Sequence, residues 1–99
     1  MTNSKFSQVP KFHILKLEEC FWQAILQGKK KSEVRKDDQD FQTGDTIVFA
    51  INSPLNNAGP EPIMEYQFKI THVLRGGQYG IESGYVVLSI EPLTPKSND

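Results

Sequence analysis

Cysteine is nearly missing from this 99-residue chain: Cys20 stands alone, and the only imidazoles are His13 and His72. One thiol forms no intramolecular disulfide, and with two scattered histidines no zinc-ligand spacing exists. Neither histidine has a nucleophile at a readable spacing, so Ser/His and Cys/His catalysis find no support. Net charge is also scarce. At −1 the whole molecule is not drawn to polyanions, and any attraction for nucleic acid must come from a local patch. No apolar run approaches the roughly 18 residues of a membrane-crossing helix. The opening MTNSKFSQVP lacks the apolar segment of a signal peptide, so the expectation is a cytoplasmic protein with no membrane partner. Internal repeats and low-complexity stretches are absent as well, and no cofactor is expected.

What remains suits one modest core. A hydrophobic share of 37% over this length supports a single domain, placed at residues 11–92 between flexible tails at 1–10 and 93–99. FHILKL (12–17) reads as a strand. In EECFWQAILQG the apolar residues Phe21, Trp22, Ile25 and Leu26 recur at helical spacing, which predicts a core-facing stripe. Gly28 supplies the left-handed residue that ends this helix, followed by lysines suited to its negative end. SEVRK is a short strand with Val34 inward and Glu33 and Arg35 together on the opposite face. DDQDFQTGD is turn chemistry, and its acids do not match the spacing of a calcium loop. Strands follow at 46–51, 64–75 and 85–93, separated by an exposed loop at 52–62 and the glycine-rich RGGQYGIESG. On the long strand Met64, Tyr66, Phe68, Ile70, His72 and Leu74 share one face. One early helix against about five strands predicts a mainly β (α+β) fold, a small barrel or strongly curved sheet plugged by the helix.

Two stretches carry candidate chemistry. GKKKSEVRK (28–36) holds five cations and one acid. Lys29 and Lys31 are explained by the helix end. Lys30, Glu33, Arg35 and Lys36 form a ligand-facing wall, in which arginine offers a planar fork of donors and Glu33 either accepts from an amine or pairs with its neighbours. In GGQYG, Gln78 can meet a base edge and Tyr79 can stack on a base, although a tight reversal alone also explains the glycines.

These pieces, in order, resemble a known family. Gly28, Lys30, Glu33 and Arg35 lie as G-x-K-x-x-E-x-R at the end of an early helix, and Gly44-Asp45 opens a later strand, which is similar to the ASCH domain of the PUA-like superfamily. The string from Glu33 to Asp45 (E-x-R-K-x-D-x-D-F-x-x-G-D), with GGQYG and GYVVL, resembles an uncharacterised ASCH-like family of bacteria and phages over residues 13–91.

The resemblance implies a small PUA-like barrel that binds RNA or a nucleotide-like ligand in a cleft beside the helix, with Lys30, Glu33, Arg35 and Lys36 on one side and Gln78 and Tyr79 on the other. Some similar domains are amidohydrolases acting on N4-acylated cytidine, with a hydroxyl residue three positions after the lysine. That position here is Glu33, which removes the hydroxyl; a hydrolase would have to use Lys30 as base or nucleophile and Glu33 as proton carrier. A protein-interaction module is the third reading.

Overall fold

In a computed structural model, residues 9–52 and 59–93 are described. Residues 1–8 and 94–99 of the tails expected at 1–10 and 93–99, and residues 53–58 of the expected loop, lie outside the described residues. The described chain runs β1 (Phe12–Glu18), α1 (Glu19–Leu26), β2 (Ser32–Lys36), β3 (Thr46–Asn52), β4 (Pro62–Arg75) and β5 (Tyr85–Pro92). The strands form one curled sheet in the order β1-β3-β4-β5-β2. This is the mainly β, five-stranded half-barrel with one short helix that the periodicities predicted. β1 pairs with β3 in parallel, and every other neighbouring pair is antiparallel.

The concave face holds the core. Leu15 and Leu17 from β1, Ile47, Phe49 and Ile51 from β3, Phe68 and Ile70 from β4, and Val86, Leu88 and Ile90 from β5 pack together there with Phe41. Helix α1 closes one end of this trough. Its Trp22 meets Phe49, Tyr66 and Phe68 at ring-centroid distances of 6.1, 5.8 and 6.3 Å. An eight-residue helix offers one contact stripe, so Trp22 and Ile25 are buried while Phe21 and Leu26 stay 47% and 45% exposed. The expected four-residue core stripe is therefore half as wide. Gly28 ends the helix as predicted, at φ +76°, with its N–H on the Ile25 carbonyl.

Two strands depart from the expected pattern of faces. On β4 the register slips between Ile70 and His72. Phe68 and Ile70 are buried, but beyond the slip Val73 packs on the core and His72 is exposed. The face expected to run unbroken from Met64 to Leu74 is thus cut by a bulge. On β2 the alternation holds but its inside and outside are exchanged. Val34 is 60% exposed and Glu33 only 4%. The cause is register: Glu33 lies opposite Leu88 and Arg35 opposite Val86, and cross-strand partners share a face. Val86 and Leu88 are fully buried, so Glu33 and Arg35 turn inward with them.

β1 and β2 are the two ends of the backbone ladder, and side chains join β1 and the residue before it to β2 and the turn that follows it. Arg35 Nη1 donates to the Lys16 carbonyl at 3.0 Å, His13 Nδ1 lies 3.0 Å from Gln39 Oε1, and Lys11 Nζ reaches Asp40 Oδ2 at 3.4 Å. The half-barrel has a seam closed by polar side chains.

A candidate ligand cleft at the seam

The arginine end of the seam opens into a cleft of about 280 Å³. Lys16, Leu17 and Glu18 line it from β1, Phe21 from α1, Glu33, Val34 and Arg35 from β2, and Asn52 from β3. Glu33 is its buried centre. Arg35 Nη1 donates to Glu33 Oε1 at 3.3 Å. Lys30 Nζ lies 3.1 Å from Oε2, yet its approach has no hydrogen-bond geometry, so Oε2 has an ionic neighbour without a hydrogen bond. The Lys30 ammonium is directed instead at the Ser32 carbonyl, and it sits 5.6 Å from the Phe21 ring centroid. Arg35 keeps capacity too: among the described residues its Nε and Nη2 carry no hydrogen bond. The cleft is therefore lined by a buried carboxylate with one oxygen outside any hydrogen bond, by guanidinium donors without a partner among the described residues, and by an exposed aromatic ring.

The far end of the seam is built differently. Asp45 accepts from the Lys11 amide at 2.9 Å through Oδ1, and from the Gln42 amide at 3.0 Å through Oδ2. Its Oδ2 also lies 2.8 Å from His13 Nε2. Burial pushes the Asp45 carboxyl up, but the hydrogen bonds from His13, Lys11 and Gln42 outweigh it and hold the group below its ordinary value. Two further acids of this turn are engaged as well. Asp37 takes Arg75 Nη1 at 3.0 Å, and Asp40 takes Gln42 Nε2 at 2.8 Å. These contacts pin the turn, as its composition predicted.

Of the residues expected to form a site, the structure brings Lys30, Glu33 and Arg35 together. Lys36 is exposed at the end of β2, opposite Tyr85. Gln78 and Tyr79 belong to the loop between β4 and β5 and do not line this cleft. The Gln78 amide donates to the Arg75 carbonyl at 2.8 Å, while Tyr79 is 83% exposed at φ +53°, a conformation costly for a side-chain-bearing residue. Gly76 serves chain packing: a Cβ there would run into the carbonyl oxygens of Glu82 and Tyr85. Phe21 is the cleft residue that periodicity assigned to the core. The signal for it was the width of the apolar stripe, too broad for one short helix to bury.

Residues 12–90 match the family described as "Domain of unknown function (DUF3850)". An uncharacterised 12.9 kDa protein in the GpA 3′ region of Escherichia phage P2 is 40% identical over 38 residues, 38% of this chain. That stretch spans 35% of the phage protein's own length.

Proposed function

We propose, from the premise that the chain belongs to the DUF3850 family, that this domain binds RNA or a nucleotide-like ligand in the cleft beside α1. The observation that carries the reading is Glu33, a buried carboxylate in the lining of the cleft whose Oε2 makes no hydrogen bond. An amine or ring N–H of a base that reached this carboxylate would supply the hydrogen bond that the Lys30 ammonium, 3.1 Å away, does not make. Arg35 adds free donors for a phosphate or a carbonyl. The cleft volume of about 280 Å³ suits one base rather than a run of them. The motif resemblance to ASCH domains supports the same reading.

Fluorescence anisotropy with a labelled single-stranded RNA, titrated with salt, tests it. Glu33→Gln and Arg35→Ala should each weaken binding about tenfold or more, and wild-type affinity in both variants would refute the cleft. Tyr79→Ala in the same titration reports whether a longer strand reaches the β4–β5 loop.

The amidohydrolase reading rests on the 3.1 Å approach of Lys30 to Glu33. Release of cytidine from N4-acylcytidine, followed by liquid chromatography and abolished in Lys30→Ala, would favour it over binding alone.

A further inference from the structure

The cleft has an apolar side as well as a polar centre. Phe21 and Val34 both line it, and they are 47% and 60% exposed, so two apolar groups from different elements face the same opening. Neither belongs to the core, to which the helix contributes Trp22 and Ile25 and β2 contributes no residue. The Lys30 ammonium touches both the Phe21 ring, at 5.6 Å from its centroid, and Glu33 Oε2, at 3.1 Å. Ring and buried acceptor are thus within reach of one ammonium group.

We infer that Phe21 is the platform on which a single planar heteroaromatic ring stacks, with Val34 as an apolar contact at the rim of the cleft and the ring's N–H edge turned to Glu33. This rests on the cleft reading above and names the ligand class: one unpaired base, free or at the end of a strand, and not a sugar phosphate alone. A ring stacked on phenylalanine gains from offset contact and from water released on both faces. A carboxylate at the ring's edge then selects for a nitrogen donor, because a carbonyl placed there would meet like charge. Lys30 on the same aromatic ring holds Phe21 in place by its positive charge on the π face.

Isothermal titration with the four ribonucleoside 5′-monophosphates, ribose 5-phosphate and inorganic phosphate tests this, on wild type, Phe21→Leu, Phe21→Tyr, Glu33→Gln and Arg35→Ala. At least one monophosphate should bind the wild type while ribose 5-phosphate and phosphate do not. Phe21→Leu should weaken that binding about tenfold, and Phe21→Tyr should restore it, since stacking on an aromatic ring is worth about 1–3 kcal/mol per base. Phe21 is half exposed, so both variants should keep the wild-type melting temperature. Wild-type affinity in Phe21→Leu, with binding lost in Glu33→Gln and Arg35→Ala, would overturn the platform and leave the cleft standing. No monophosphate binding to the wild type, or equal binding in every variant, would overturn both.

Discussion

Two carboxylates sit at the two ends of one seam, equally hidden and differently served. The Asp45 and Glu33 side chains are 2% and 5% exposed. Asp45 has the imidazole of His13 and the amides of Lys11 and Gln42 on its two oxygens. Glu33 has the Arg35 guanidinium at 3.3 Å on Oε1 and, on Oε2, the Lys30 ammonium at 3.1 Å without a hydrogen bond. Burial alone therefore does not separate scaffold from site; satisfaction does. A buried acid whose oxygens are filled by its own chain fixes the fold, whereas one with an oxygen to spare raises the free energy of the empty state and rewards a donor from outside.

The largest expected effect breaks the scaffold end. Asp45→Ala leaves His13 Nε2 and two backbone amides without their acceptor, and should cost about 3 kcal/mol or more, at roughly 1–3 kcal/mol for each buried orphan. For a domain of this size that lowers the melting temperature by more than about 10 °C in a calorimetric scan. Acid should reach the same group. Because folding holds the Asp45 pKa below its ordinary 3.8, its contribution is fully present above about pH 4 and is lost as pH falls through the folded value. Urea midpoints between pH 7 and pH 3 should thus fall more steeply in the wild type than in Asp45→Asn. Asp40, held low by hydrogen bonds from Gln42 and Lys11, leaves the variant a smaller slope.

Glu33→Gln should behave in the opposite sense. It removes a costly buried charge along with its two ion pairs, so urea unfolding should shift by no more than about 1 kcal/mol in either direction while ligand binding drops. A loss as large as that of Asp45→Ala would show that Glu33 is scaffold too, and the contrast between the two ends would collapse. The smallest effect checks the orientation of β2. Val34→Ser should stay within about 0.5 kcal/mol of wild type, as for other surface positions, whereas an inward valine would cost several times more.

Much of the fold was legible without coordinates. Strand β2 is where SEVRK was read, and β1, β3, β4 and β5 differ from their expected spans by one or two residues. Local patterns sufficed there because alternation and the Gly28 stop are properties of neighbouring residues. The same patterns failed wherever a distant partner decided. With one apolar residue, β2 pointed Val34 inward by the usual rule, and only the pairing with β5 reverses it. The β4 bulge that exposes His72 was hidden because every second residue in MEYQFKITHVLR is apolar or aromatic on both sides of the slip. The seam bonds of Arg35 to Lys16 and of His13 to Gln39 join residues 19 and 26 positions apart, and no local periodicity encodes them.

The sequence by itself determined that the described residues form a mainly β fold with one short helix, that Lys30, Glu33 and Arg35 travel together, and that the aspartate-rich turn is built to reverse the chain. Alternation and turn preferences act over a few residues, so they are written locally. Tertiary structure alone decided that Glu33 is buried, that Asp45 is satisfied and Glu33 is not, and that Phe21 faces a cleft while Trp22 fills the core. Each of these depends on which groups arrive from elsewhere in the chain to cover, or to leave uncovered, a polar atom.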